Sequence, residues 1–481
     1  MLRPQPACSA VRQQVHPTPV ASTVGPVHEL TPELRRIAEE IAADAVDRLA
    51  MTAPLDFALT VDQLTASAGQ TVTTSGLGHD AVRLWRDVLA PACLSVDHPR
   101  YLAFIPNAPS KAAAAFDMLV GASSIYGGSW LEGSGAVYAE NQALRWLADL
   151  AGLPAGAGGA FVQGGSIGNL SALVAAREAA RATRSAAGAG PPRRWAVCVT
   201  EQTHSSVGHA LQVVMDVDVI QVPGDARGRL TGPALRATVD ALPSAVRDGI
   251  FAVVATAGST NLGIVDDIAG VGAVARERGW WLHVDGAYGG AGLAAPSVRA
   301  LYSGIEYADS FIVDPHKWLF APYDCCALIY RDPAQGAAAH TQHAAYLDPV
   351  TVAGEWNPSD FAIQLTRRAR GLPFWFSLAV HGTDAYTTAV QRTLDIAWAG
   401  ADLIREAPHL TLLLEPELSV LVFERVGWDV ADYAAWTARL IAEQLAFVTP
   451  SRYAGRVCTR FAIVNPQTTL DDLRLVLDSM R

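Results

Sequence analysis

Lysine is almost missing from this sequence: the 481 residues hold two, Lys111 and Lys317, against 34 arginines. Neither is therefore drawn from a lysine-rich surface. Positive charge is also in deficit, with a formal net charge of −11, which argues against a nucleic-acid or anionic-membrane partner. No apolar run approaches the roughly 18–20 residues that cross a bilayer. The Pro-rich, polar first 27 residues lack the continuous apolar stretch of a signal peptide and read as a flexible leader. Six cysteines, with Cys325 and Cys326 adjacent and no Cys-x-x-Cys, build neither a disulfide framework nor a zinc site. No metal is expected, and the setting expected is soluble and cytoplasmic. Charged residues make up 17% and hydrophobic residues 50%, so wholesale disorder is excluded and a large interior can form.

What is present has a rhythm. Thr31-Pro32 reads as an N-cap with proline at N1, and Leu34, Ile37, Ile41, Ala45 and Leu49 recur at helical spacing. A second helix is expected near 80–89. From about residue 140, short apolar runs at 160–163, 195–199, 217–222, 250–256, 280–285, 310–313 and 326–330 alternate with helical stretches, one of them the Ala-rich segment 169–183. Such alternation predicts an α/β fold with a mainly parallel seven-stranded sheet covered on both faces. After about 373 the rhythm breaks into a long helix (374–403), short strands near 418–424 and 457–464, and a last helix from 470. The division expected is a leader (1–27), an N-terminal helical segment (28–95), a large α/β domain (96–373) and a small α+β domain (374–481).

Four strand ends carry chemistry. One strand runs into Asp314-Pro315-His316-Lys317-Trp318; a partly desolvated lysine there is the type that forms Schiff bases with carbonyls. Another ends at Asp285, followed by Gly286 and Ala287, small residues that let a flat group approach the backbone. Alone, that aspartate would cap the next element. With Lys317 it suits pyridoxal phosphate, which needs a lysine for its aldehyde and a carboxylate to keep its pyridine nitrogen protonated. Gln163-Gly164-Gly165-Ser166 lies between strand and helix, where backbone N–H groups and the helix end can hold a phosphate. His204 follows a further strand, as a helix-start residue or as an imidazole stacked on a cofactor ring. Ligands of open α/β sheets bind at such carboxyl ends.

In this combination the chain resembles the group II pyridoxal-phosphate decarboxylases of fold type I, the family of the aromatic-L-amino-acid, glutamate and cysteine-sulfinate decarboxylases. The resemblance runs from about residue 98 to the C-terminus. It rests on Pro315-His316-Lys317-Trp318, His283-Val284-Asp285, Thr203-His204-Ser205-Ser206, Gly164-Gly165-Ser166, the segment 255–260, and Arg367-Arg368 with Trp375-Phe376. It implies Lys317 as the Schiff-base lysine, Asp285 as the pyridine partner, and His204 as the residue stacked over the ring and active in protonation. Gly165, Ser166 and His316 would hold the phosphate with Asp314 close by, Thr256 would lie near the cofactor, and Ala287 would pack on the ring face opposite His204. Tyr346, 29 residues after Lys317 on a mobile loop, would be the proton donor.

The resemblance further implies substrate contacts from Phe104, Ile105 and Asn107 and from Tyr126, Gly128 and Trp130, the last three lent across a homodimer interface. Ile105 and Asn107 replace the family's usual phenylalanine and threonine, and Gly128 stands where an aromatic residue is usual. Ile167 and Gly168 replace the usual Glu-Ala of the phosphate turn. A missing ring at 128 opens volume, for a bulky substrate or for another side chain. The expected activity is decarboxylation of an aromatic or bulky L-amino acid to the amine. Decarboxylation with oxidative deamination to an aldehyde, or β-elimination, are the alternatives that an opened pocket would favour; a non-catalytic regulator is a third.

Overall fold

The apolar runs expected as strands form one seven-stranded sheet in the computed structural model, which describes residues 26–347 and 355–481. Residues 1–25 of the expected leader lie outside the described residues. The strands are β1 (Gly158–Val162), β2 (Ala196–Val199), β3 (Asp218–Gln221), β4 (Ile250–Thr256), β5 (Trp281–Asp285), β6 (Ser310–Val313) and β7 (Cys326–Tyr330). Their order is β1-β7-β6-β5-β4-β2-β3, and β7 alone runs antiparallel to its neighbours. Successive side chains of a strand point to opposite faces. Along β4, Val253 and Ala255 enter one core, while Ala252 and Val254 enter the other. Both faces are covered, so these strands are apolar throughout rather than alternating.

Helix α1 (Pro32–Ala50) begins as its sequence predicts: Thr31 Oγ1 accepts from Leu34 N–H at 3.1 Å, with Pro32 in the first turn. The helix expected over 80–89 is α-helical only to Leu84 and continues as a π turn over Trp85–Leu89. Helices Val61–Ala68, Lys111–Ala122, Trp130–Leu150, Pro333–His340 and Val430–Ala442 are among those not anticipated. The Ala-rich helix begins at Gly165 rather than 169 and runs to Ala186, so the Gly-Gly-Ser turn is its first turn.

The long helix expected over 374–403 is two helices, Leu372–His381 and Thr383–Glu406. Gly382, at φ +76°, turns the chain between them. The small sheet has four antiparallel strands in the order β10 (Pro450–Tyr453), β11 (Arg456–Ala462), β9 (Val420–Arg425), β8 (Leu410–Leu414). β8 and β10 were missed in the sequence. Leu102 docks on this unit: its N–H donates to Phe447 O and its carbonyl accepts from Ala462 N–H, both at 2.9 Å. Among the described residues no helix is long and apolar enough to cross a membrane.

Candidate active site

The carboxyl ends of β1, β2, β4, β5 and β6 surround a cavity of about 350 Å³. Gly165, Ser166, His204, Thr256, Asp285, Ala287, Asp314, His316 and Lys317 all line it, so nine of the residues singled out in the sequence are brought together. They come from the last residues of these five strands, from the loops that follow, or from the start of the next helix.

Lys317 lies in the turn after β6, where its N–H donates to Asp314 O (2.9 Å) and its Nζ donates to Asp314 Oδ2 (3.0 Å). Burial works against its charge, but Asp314, helped by Asp285, outweighs burial and holds the amine above the ordinary lysine pKa. Asp314 is itself buried, which would raise its pKa; the Lys317 and His316 charges and the thiol and ammonium hydrogen bonds overcome that and hold it below the usual value. Trp318, next in sequence, points the other way. It is fully buried, stacks on Tyr288 at 5.2 Å and donates to Thr393 Oγ1, so it pins the lysine turn to the core. His316 Nδ1 lies 2.8 Å from Cys325 O and 3.1 Å from Cys325 N, so the Cys325 backbone fixes the ring in either tautomer. Burial lowers its pKa, with Lys317 adding to the effect and Asp314 opposing it.

Asp285 ends β5. Its Oδ2 accepts from Asn169 Nδ2 at 2.9 Å and its Oδ1 from Ala287 N–H at 3.0 Å. Gly165 N–H donates to Asp314 Oδ2 (3.3 Å), and a Cβ on Gly165 would come within 3.2 Å of that oxygen and of Ala287 Cβ. Thr256 N–H donates to Asp266 Oδ2 (2.7 Å), a carboxyl that burial pushes up to about 7. His204 is exposed and N-caps the short helix Ser205–His209, its Nδ1 accepting from Ser206 N–H (3.2 Å). The cap reading of this histidine is thus realised, in a position that also lines the cavity.

The residues present fit pyridoxal 5'-phosphate. Thr256 Oγ1 and Gln163 Oε1 are buried at the cavity with no hydrogen-bond partner among the described residues. The 22-residue helix from Gly165 begins at the cavity, where Gly164, Gly165 and Ser166 line the wall, so the positive end of its dipole lies at an anion site. An amine, a carboxylate and this anion cradle match the aldehyde, ring nitrogen and phosphate of that cofactor.

The expected substrate residues are not part of the cavity wall. Ile105 and Asn107 are buried, and Phe104 is exposed with its ring 6.0 Å from Phe447. Tyr126 bridges Arg368, Gly128 O accepts from Ser359 N–H, and Trp130 N–H donates to Asn357 Oδ1. The volume expected above Gly128 is closed: a Cβ there would collide with the Tyr126 ring, whose hydroxyl donates to Leu365 O at 3.0 Å. Tyr346 falls in the 3-10 turn Ala345–Leu347, and its side chain lies outside what is described. The segment before it is more anchored than expected, because His340 is buried with Nε2 2.9 Å from Ser171 O.

Gln163, Thr260, His283 and Tyr288 lie in segments singled out in the sequence without a role of their own, and Asn169, Gln202 and Asp324 were missed. Two had a further signal in their spacing. His283 is two residues before Asp285 on a strand, and Asn169 is four after Gly165 on a helix, spacings that share a face.

A family model for the pyridoxal-dependent decarboxylase conserved domain matches residues 79–426. An aromatic-L-amino-acid decarboxylase of Bacillus atrophaeus is 28% identical over 393 residues, covering 79% of this chain and 80% of the relative. An L-2,4-diaminobutyrate decarboxylase of Rhizobium meliloti is 31% identical over 417 residues, covering 84% and 82%. The crystal structure of Oryza sativa TDC with PLP and tryptamine superposes with a TM-score of 0.83 at 24% identity, covering 95% of this chain and 99% of that one.

Proposed function

Because the chain belongs to the pyridoxal-dependent decarboxylase family, we propose that it converts an aromatic or bulky L-amino acid to the corresponding amine. It is a pyridoxal-phosphate-dependent carboxy-lyase acting on amino acids. The observation that carries the finer reading is the convergence of Lys317, Asp285 and His204 on one cavity. The bound cofactor supplies an aldehyde that captures amines and a ring that takes up electrons as carbon dioxide leaves.

The chain's own groups do the rest. Lys317 presents the amine and, between captures, keeps its proton against Asp314. Asp285 would be the carboxylate that keeps the ring nitrogen protonated. Gly165, Ser166 and His316 would hold the phosphate, Thr256 would offer a hydroxyl, and Ala287 and His204 would hold the ring. Tyr346 delivers a proton to the substrate carbon, with His204 assisting; general acid catalysis of this kind contributes about 10²–10⁴-fold. Orientation of the carboxylate decides which bond breaks.

Exposed rings near the mouth support an aromatic side chain. The Tyr323 ring is 5.1 Å from that of His316. Arg460 holds Phe104 O and also Thr260 O of the cavity wall, at 2.7 Å each. The volume that would favour the aldehyde or elimination products is filled by Tyr126.

A homodimer belongs to the same reading, with Tyr126, Gly128 and Trp130 lent towards the partner's site and Phe104, Ile105 and Asn107 at the substrate edge. α1 has no buried residue in 19, and Ile37, Ile41, Met51, Val82 and Trp85 line an apolar hollow of about 710 Å³. A cytoplasmic setting agrees with five described cysteines that are all thiols.

The test is product balance. The protein is supplied with L-tryptophan, L-tyrosine, L-dopa, L-phenylalanine and L-2,4-diaminobutyrate, and carbon dioxide, amine, ammonia and peroxide are measured together. Amine equal to carbon dioxide from an aromatic substrate is expected. Turnover of diaminobutyrate alone, or ammonia equal to carbon dioxide, would overturn the assignment.

A further inference from the structure

Behind Asp285 lies a row of buried polar groups that the proposed reaction does not use. Trp281, His283 and Asp285 are alternate residues of β5 and share one face. Ser310 on β6 pairs in register with His283. Trp281 Nε1 donates to Ser310 Oγ at 2.7 Å, and Ser310 Oγ lies 2.8 Å from His283 Nδ1. His283 Nε2 lies 2.7 Å from Asn169 Oδ1, and Asn169 Nδ2 donates to Asp285 Oδ2 at 2.9 Å. All five side chains are buried.

The two ends of this row fix its direction. An indole N–H can only donate, and an ionised carboxylate can only accept. Facing Asp285, Asn169 presents its amide protons, which leaves its oxygen to accept from His283 Nε2–H. His283 Nδ1 then accepts from the Ser310 hydroxyl, whose oxygen receives the Trp281 proton. Burial holds the His283 pKa below its ordinary value against the pull of Asp285, so the ring is neutral and has one proton to place.

Reversal strands a proton. If Asp285 were protonated and donated to a flipped Asn169, His283 would carry its proton on Nδ1. The Ser310 oxygen would then receive two donors, and its own hydroxyl proton would have no acceptor along the row.

We propose that Trp281, Ser310, His283 and Asn169 form a polarised hydrogen-bond chain that orients Asp285 and holds it as an acceptor-only carboxylate. The four are positioning residues, since they act through Asp285. The inference rests on the reading of Asp285 as the partner of the cofactor's ring nitrogen. An ionised Asp285 favours a protonated ring, so the chain acts on cofactor binding as well as on turnover.

The test is a double-mutant cycle read by the cofactor dissociation constant, followed through the visible absorbance of the bound cofactor, with apoprotein melting as the fold control. Trp281→Phe keeps a ring and removes only the polar end; Ser310→Ala cuts the chain one link further in and serves if the first variant folds poorly. Each should raise the dissociation constant about five- to tenfold, the size of one net hydrogen bond. In an Asp285→Asn background the same substitutions should change it less than about twofold, because the terminal charge on which the chain acts is gone. Equal effects in both backgrounds would show that Trp281 and Ser310 merely support the fold, and would overturn the proposal. If Asp285→Asn alone leaves cofactor binding and turnover intact, the assignment of Asp285 itself is wrong and the proposal falls with it.

Discussion

Replacing Asp314 by asparagine should expose what the Lys317–Asp314 pair does before the cofactor arrives. Asp314 is buried, Lys317 keeps 21% of its side chain exposed, and the two are 3.0 Å apart. Removing one partner of such a pair costs about 3–5 kcal/mol. Lys317 has an escape, which is to lose its proton; from the ordinary value of 10.5, doing so at pH 7.5 costs about 4 kcal/mol at 1.36 kcal/mol per unit. The expected loss of apoprotein stability is therefore about 3–4 kcal/mol at pH 7.5, shrinking by about 1.4 kcal/mol per unit as pH rises. The sign follows from the shifts. The raised Lys317 pKa gives stability that is full below 10.5 and lost as pH rises through the folded value. The lowered Asp314 pKa gives stability present above 3.8 and lost as pH falls through its folded value. Capture of cofactor should move the opposite way, because only the neutral amine attacks an aldehyde. In the wild type under about one amine in 1,000 is neutral at pH 7.5, and each unit of fall in the variant multiplies that by about ten. Urea midpoints of the apoprotein at pH 6, 7.5 and 9, and borohydride-trapped capture rates over the same range, measure both. A wild-type capture rate that is already flat below pH 8, or a variant with an unchanged profile, would refute the assigned role of the pair.

Lys317→Ala should abolish turnover and leave no borohydride-fixed cofactor in the cavity, since Lys111 is the other lysine of the chain; peptide mapping that finds turnover without an adduct at 317 in the wild type would sink the assignment. Glu140→Gln should destabilise the protein by about 3–5 kcal/mol, because Glu140 makes a two-pronged pair with the buried Arg367 at 2.8 and 3.0 Å and also accepts from Gly371 N–H. Denaturation within 1 kcal/mol of wild type, to about that precision, would argue against an ionised pair. Tyr346→Phe should lower amine and raise aldehyde, ammonia and peroxide together; an unchanged amine yield would remove Tyr346 as the donor.

The chemistry of this site is legible in sequence because each reactive residue follows a strand. An apolar run that stops at Asp285 or just before Asp314 marks both the strand and the ligand edge of the sheet. His283 and Asn169 carry no such mark, since what they do depends on the register of β5 against β6 and on which turn of a helix faces Asp285. A histidine inside an apolar strand looks like a packing residue until its two neighbours are known. The split at Gly382 was hidden for a different reason: the apolar spacing continues through it, and one glycine at positive φ redirects the chain without altering the pattern. Gly128 is the clearest limit. Sequence shows a ring missing at 128 and leaves two readings, a bulky substrate or another side chain in the space; the Tyr126 ring two residues earlier takes the space, held by a carbonyl at Leu365 that is distant along the chain. Which groups are available to react can be read from local order; which volume is left for a substrate depends on what a remote segment pushes into it.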